Sequence, residues 1–574
     1  MLKRDVSPQP NVFDRAASLL HPGFWVATVL TGVAAGFGGA ALMMLLRGVQ
    51  HTAWSYESGD FLHAVQNVSA GHRMVVLVSA GIVTAGALLL IRKFLRDGPG
   101  LSSGIWFHSG RLPLARTFAN AILSIVIVGL GASLGREAAP KEVAAAIASS
   151  LADPFGLTNA QRRLLVACGA GAGMAAVYNV PLGGALFAIE VLLGTLALPL
   201  VLPALVTSLI ATAIAWTVLP MQPSFSIPAY GTNVSEIIWA IVFGPFAGIA
   251  AVAFVRVVSW ASARKPSGVS TISVSVAVFA IVGIASLAFP QILGNGRNVV
   301  QLAFVDQIGP TLIAALLVLK LAATAGCLST GAPGGLFMPT MAFGALLGGL
   351  FGHVWQRGWP TQEPGSYAVI GAGALLAAAS QGPVSATVLV LELASNANGL
   401  IVPLMLAVAE ALLVARMLES RSIYSGRIAA NMPSVNRKTQ RKGVVSTAFD
   451  DLVTHDYSVI SAAAACPMVL QQLLALGGGT LYVLDERGAL VGALEATVFV
   501  DAPSQTAGFP LAAITAGDLA SNGPFVDTAM TRTEVIEEFN ASGQVRLPLV
   551  ERGSHRLVGI VNRNVTPPSI VVPR

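Results

Sequence analysis

Gly135-Arg136-Glu137-Ala138-Ala139-Pro140 sets two charged side chains between an apolar run, Ala121–Leu134, and an alanine-rich one, Val143–Leu151. Arg and Glu at membrane depth each cost about 2.5–3.5 kcal/mol to insert, so such a pair marks a functional site. Glu137 has the chemistry to offer. Its carboxylate is an anion on a short tether, able to occupy an anion site at a helix N-terminus and to leave it once protonated. The competing reading is a structural ion pair with Arg136, weakened because successive helix residues do not face each other. A second stretch with the same punctuation, Gly334-Gly335-Leu336-Phe337-Met338-Pro339, begins 199 positions later. Glycine lets a backbone approach an ion closely and proline starts the next helix cleanly.

The elements that must position these residues are helices in a membrane. The chain is 54% hydrophobic and 11% charged, with a mean hydropathy of +0.71. Soluble chains carry about a quarter charged residues, which excludes an ordinary water-soluble protein. The net charge of +6 sits in short basic clusters, Lys3/Arg4, Arg92/Lys93/Arg96, Arg264/Lys265 and Arg437/Lys438/Arg441/Lys442. Clusters beside apolar spans mark the cytoplasmic side. No basic stripe with interleaved aromatics is present, so nucleic acid is not an expected partner; the lipid bilayer is. Cys168, Cys327 and Cys466 have no metal or disulfide spacing and read as apolar fillers. No metal site is expected.

Residues 1–23 read as a cytoplasmic N-terminal segment, followed by crossings near 24–46 and 73–95. From Leu112 to Leu418 the apolar stretches are shorter and broken by Gly, Pro, Ser and Asn. Tilted and half-crossing helices explain this, provided their broken ends line a cavity. Ala167–Glu190 repeats as Val369–Glu392 at an offset of 202: Gly169/Gly371, Gly171/Gly373, Pro181/Pro383 and Glu190/Glu392 coincide. Alanine matches are cheap, but proline and glutamate at one offset indicate an internal duplication. Glu190 and Glu392 are expected to cap or hydrogen-bond backbone near broken helices. Lys141/Glu142 reads as a polar break or a solvated edge.

Beyond Met432 the composition changes. A basic linker, 433–446, leads to short alternating runs in which Leu481–Gly492 and Leu547–Gly559 each read as a hairpin, with helical stretches at Pro467–Leu476 and Thr533–Ser542. The fold class expected is an all-α polytopic membrane domain of inverted repeats, 24–432, with a cytoplasmic α/β tandem domain, 447–574.

These residues resemble the CLC family of chloride channels and chloride/proton exchangers. Gly135–Pro140 is similar to the family's GREGP segment, whose glutamate is the gate. Gly334–Pro339 is similar to GxFxP, and Gly169–Glu190 to the small-residue stretch ending in NxPLxGxLFxIE. Ser102-Ser103-Gly104-Ile105 resembles GSGIP, with Trp106 in place of the proline, and Tyr424 stands where the pore tyrosine does. Ala138-Ala139 depart from the pattern, shifting the proline by one position.

The resemblance implies Glu137 as gate and a halide held by Ser103, Gly104, Ile105, Gly335, Leu336, Phe337 and Tyr424, with Gly135, Arg136 and Ala138 as the gate backbone. By residue type alone, Ser103 is equally a helix cap and Tyr424 an interface tyrosine. Breaks at Ser102–Ile105, Gly135–Pro140 and Gly334–Pro339 would aim helix N-termini at a partly dehydrated anion. Neutral donors suit a conducted ion better than a Lys or Arg cage, which would hold chloride too tightly. Where proton-coupled members carry a second glutamate, this chain has Val191. A branched alkyl group carries no proton, which points to the channel branch, with an antiporter using another proton route as the alternative.

The tail resembles a pair of CBS domains. Such pairs sometimes bind adenine nucleotides, but Asn564 stands where a ribose-binding Asp is typical, so a structural tail and no cofactor are expected. A homodimer in a bacterial inner membrane completes the expectation, with chloride as the transported partner. A membrane zinc protease would need His-Glu-x-x-His, a motif missing among the eight histidines. A CBS-containing divalent-cation channel would need clustered membrane carboxylates. No enzymatic activity is expected.

Overall fold

The computed structural model describes residues 22–56, 61–359, 364–418, 420, 422–424, 452–454, 457–476, 480–495, 515–521, 523–542, 544 and 546–562. The linker 433–446, Asn564 and most of segment 1–23 lie outside them. The chain divides into two compact units, 1–105 with 110–430, and 106–109 with 431–574.

The first unit is helical. It opens with α1 (Pro22–Trp54), α2 (Phe61–Asn67), α3 (Ala70–Phe94), α4 (Leu101–Phe107) and α5 (Leu114–Gly129). Then come α6 (Ala138–Ala152), α7 (Asn159–Tyr178), α8 (Pro181–Leu186) and α9 (Leu198–Ala215). Next are α10 (Val234–Ala263), α11 (Ser270–Ala288), α12 (Arg297–Phe304) and α13 (Pro310–Ser329). The last are α14 (Phe337–Trp355), α15 (Pro364–Ser380), α16 (Pro383–Leu393) and α17 (Ile401–Met417). Among the described residues, 8 helical segments are long and apolar enough to cross a membrane, the first being α1 and the last Ala397–Met417. The crossing anticipated at 24–46 is longer, because α1 continues through Gly48 to Trp54. The basic residues of two clusters share one end of the bundle: Arg92 donates to the Pro266 carbonyl at 3.0 Å.

The duplication is visible as geometry. In one repeat α6 packs along α7; in the other α14 packs along α15. Small residues make both contacts possible. A Cβ on Gly371, for instance, would stand 2.6 Å from the Gly344 carbonyl oxygen. Asn179 and Gln381, 202 positions apart, end α7 and α15 in left-handed backbone (φ 58° and 61°), and a proline opens the helix that follows each.

The two C-terminal glutamates of the repeated block exchange caps. Glu392 accepts from the Leu182 and Gly183 amides at 3.0 and 2.6 Å. Glu190 accepts from Val384 and Ser385 at 3.1 and 2.6 Å. Each carboxylate therefore satisfies the orphan N–H groups at the start of the opposite repeat's helix.

The second unit holds two like β-α-β-β modules. Strand β1 (Val453–Thr454) precedes the first, which comprises β2 (Ser458–Ser461), α18 (Cys466–Ala475), β3 (Leu481–Leu484) and β4 (Leu490–Leu494). The short helix α19 (Ala516–Leu519) follows. The second comprises β5 (Val526–Asp527), α20 (Arg532–Ser542), β6 (Arg546–Val550) and β7 (Leu557–Asn562). The sheets run β2-β3-β4 and β1-β7-β6-β5, with β2/β3 and β5/β6 parallel and both hairpins antiparallel. Gly488 (φ 82°) and Gly553 (φ 84°) each supply a left-handed residue in the two hairpin turns, and His555 (φ 52°) adds another in the second. Each module has its own core, one around Val469, Leu481 and Val483, the other around Val535, Leu547 and Val561. Tyr482, Leu557 and Ile560 join them; burial there pushes the Tyr482 phenol up to about 12.

Candidate functional site

The two punctuated stretches meet. Gly135 and Gly335 exchange both backbone hydrogen bonds, N–H to O=C at 2.8 Å in each direction. This reciprocal pair fixes the N-termini of α6 and α14 side by side. Pro140 and Pro339 both fall at the third helical residue, where a missing N–H costs nothing because the first-turn amides have no intrahelical partner. The shift that Ala138-Ala139 introduces thus places the proline of α6 in the same register as that of α14.

Glu137 is the N-cap residue of α6 and fully buried. Its Oε1 accepts from the Phe337 amide at 2.7 Å, and its Oε2 from the Tyr178 hydroxyl at 3.3 Å. The carboxylate sits on the first helical N–H of α14, at the positive end of that helix's dipole. A Cβ on either Gly135 or Gly335 would overlap the Glu137 carboxylate, so the cradle is shaped by the two missing side chains. Arg136 turns elsewhere: its guanidinium lies 5.1 Å from the Tyr178 ring centroid. The described ion pairs do not include Arg136 with Glu137. Tyr178 and Arg136 open onto a cavity of about 210 Å³, also lined by Arg47, Asn179, Trp216 and Arg297. The guanidinium groups of Arg47, Arg136 and Arg297 therefore give this cavity a positive wall.

Among the anticipated residues, Gly135 and Glu137 meet Gly335 and Phe337 directly, and Arg136, Ala138 and Leu336 are their neighbours in sequence. Tyr424 is tied to the end of α15, where the Ile423 amide donates to Ala379 at 2.9 Å and the Ser422 hydroxyl to the Ser380 carbonyl at 2.9 Å. Its ring packs edge-on against Phe187 at 5.2 Å.

The third of the expected breaks is displaced. The anticipated break at Ser102–Ile105 lies inside α4, because Pro99-Gly100 ends the irregular stretch before Leu101. The Ser103 hydroxyl donates to the Gly100 carbonyl at 3.0 Å. Val191 lies in a π-helical turn, Phe187–Leu192, with a methyl group against Gly382.

Lys141 corrects the reading of a solvated edge or polar break: it is only 4% exposed. Its ammonium lies 5.0 Å from the Phe187 ring centroid and 4.8 Å from that of Tyr424. Residue type alone could not reveal this, since Lys-Glu after a proline is also how an exposed helix start reads. Tyr178 was missed as well. Its one signal was position, as the polar ring closing the small-residue helix of the repeat.

The profile of the Voltage gated chloride channel family matches residues 99–416. The chain belongs to this family. CLC-type anion transport by an integral membrane protein follows from that membership. Over 413 residues the chain is 29% identical to the voltage-gated ClC-type chloride channel ClcB of Escherichia coli O9:H4 (strain HS), a match covering 70% of this chain and 97% of the relative. Among solved structures it is similar to a slow cyanobacterial Cl⁻/H⁺ antiporter, with TM-score 0.63 and 23% identity, covering 72% of this chain and 99% of that one. It is also similar to a eukaryotic CLC transporter, with TM-score 0.60 and 19% identity, covering 96% of this chain and 98% of that one. Those two likenesses establish the CLC fold.

Proposed function

We propose that the chain conducts chloride and similar small anions passively, through a pore that Glu137 closes as a tethered anion. The observation that carries this reading is the Phe337 amide donating to Glu137 Oε1 at 2.7 Å. A helix-end N–H is the donor a dehydrated halide needs, and the carboxylate occupies it. Protonation removes the charge that holds the side chain there, so flux rises as pH falls. Tyr424 and the Ser103–Ile105 segment are assigned to the same path by the family motif.

The channel mechanism is favoured over proton exchange by Val191, which packs as an apolar side chain and offers no proton carrier. The antiporter reading draws on two similar structures, the cyanobacterial Cl⁻/H⁺ antiporter and a CLC-type fluoride/proton antiporter. The duplicated β-α-β-β modules support a CBS-like pair, to which we assign a structural rather than nucleotide-sensing role on the cytoplasmic side. A homodimer with one pore per subunit in a bacterial inner membrane, with no cofactor and no enzymatic activity, accords with the family resemblance and the bacterial relatives.

The test is anion efflux from proteoliposomes under a chloride gradient with external pH recorded. Glu137→Gln should raise flux at neutral pH and abolish its pH dependence; wild-type rate and pH response in that variant would remove Glu137 as the gate. Chloride movement without stoichiometric proton movement supports the channel, and coupled movement the antiporter.

A further inference from the structure

We propose that Lys320 is a positioning residue for anion transport: it holds two backbone carbonyls away from the cavity beside the gate and sets a fixed positive charge behind that cavity's wall. The inference rests on the reading of Glu137 as a gate that the anion reaches from this cavity.

Lys320 lies in the middle of α13, a helix long and apolar enough to cross a membrane, and is 1% exposed. A lysine at that depth is costly and marks a candidate for function. Its Nζ donates to the Ile292 and Gly294 carbonyls, each at 2.8 Å. Among the described residues these two oxygens are its hydrogen-bond partners, and no carboxylate pairs with it. Carbonyl dipoles solvate the ammonium without cancelling its charge, so the charge still acts on its surroundings.

The carbonyls belong to the segment that walls the cavity. Leu293, Gly294 and Gly296 line it together with Arg47, Arg136 and Arg297, and no Asp or Glu is among the described lining residues. Lys320 is not part of that lining, so the carbonyls it holds point into protein rather than toward an approaching ion. Carbonyl oxygens that face a conduction path favour cations, and turning them aside suits an anion. Arg297 treats the Ser224 carbonyl likewise, donating to it at 2.9 Å.

The same face of α13 reaches the gate segment. The Gly294 amide donates to the Gly131 carbonyl at 3.0 Å, just upstream of Gly135. One turn along α13 from Lys320, the Thr324 hydroxyl meets that of Ser133 at 3.2 Å. Left-handed Gly296 (φ 94°) lets the lysine stem lie close to α14: a Cβ there would stand 3.3 Å from Lys320 Cε and 3.1 Å from Ala342 Cβ. Lys320 therefore sits where the cavity wall, the gate segment and α14 come together.

A purely structural clamp is the competing account, and the chloride dependence of flux separates the two. Radiolabelled chloride exchange is measured in proteoliposomes of the full-length protein at equal chloride on both sides, with melting temperature taken in detergent. Wild type, Lys320→Met, Lys320→Arg and Glu137→Gln are compared. The proposal expects Lys320→Met to raise the half-saturating chloride concentration at least about threefold, with Lys320→Arg, which keeps the charge, below that threshold. A structural clamp lowers the melting temperature or the maximal flux and leaves half-saturation where it was. A rise of less than about threefold in Lys320→Met overturns the proposal, as does an equal rise in Lys320→Arg. If Lys320→Met does not fold, Lys320→Gln, which keeps an N–H donor without the charge, is judged by the same threshold. The Glu137→Gln arm keeps the two readings apart. Altered flux there with unchanged half-saturation in Lys320→Met defeats this proposal alone, whereas wild-type flux and pH dependence in Glu137→Gln defeat the gate on which it rests.

Discussion

The N-termini of α6 and α14 are joined by the same two backbone hydrogen bonds, carry proline at the same helical position, and start beside the same kind of glycine. At the residue before the first helical position, however, one has Glu137 and the other Leu336. Four residues on, the pair is Lys141 and Thr340; Lys141 faces two rings, while the Thr340 hydroxyl bonds back to the Leu336 carbonyl at 2.6 Å. Farther along, the segment around Glu190 is π-helical and the one around Glu392 is regular α-helix. What the repeats share is the frame: glycine contacts, left-handed helix ends, prolines and reciprocal glutamate caps. What they do not share is the chemistry. A duplicated scaffold thus brings two equivalent helix ends to one point, and only one half carries charged side chains at these positions.

The largest effect expected from breaking that comparison is at the glycine cradle. Gly335→Ala puts a methyl group where the Glu137 carboxylate lies, so the gate is expelled and flux at neutral pH should rise at least about tenfold, as for Glu137→Gln. Gly334→Ala is the matched control, because its methyl group meets the Leu134 side chain instead and should alter stability without altering pH dependence. Proteoliposome efflux at two pH values reads both. Equal behaviour of the two variants would mean that the cradle does not position the carboxylate.

A smaller effect sharpens the shared half of the comparison. Glu190→Ala and Glu392→Ala each strip two backbone amides of their acceptor, at a cost of about 1–3 kcal/mol. Because the geometry repeats, the two losses should agree within about 1 kcal/mol in denaturant unfolding of the detergent-solubilised protein. A loss confined to one variant would show that the caps are not equivalent.

Much of this frame was legible in the sequence. The duplication follows from Pro181/Pro383 and Glu190/Glu392, and the hairpins of the second unit from charged turns containing Gly488 and Gly553. The meeting of Gly135 with Gly335 was legible only as two similar punctuations, since nothing local encodes a hydrogen bond across 200 residues. Ser102–Ile105 misled because glycine and serine read as a break, while the actual break is the preceding Pro99-Gly100. Lys141 escaped because local pattern assigns a lysine to water unless the faces packed against it are known. Its partners come from the π-helical turn and from the segment after α17, both distant in sequence.

The central claim, that the Glu137 carboxylate occupies an anion's place on the Phe337 amide, is tested most directly by bromide anomalous diffraction on Glu137→Gln crystals beside the wild type. The account predicts a bromide peak within hydrogen-bonding distance of the Phe337 nitrogen in the variant and none there in the wild type at neutral pH. A variant map with the glutamine still seated on that amide and no bromide beside it would contradict the account.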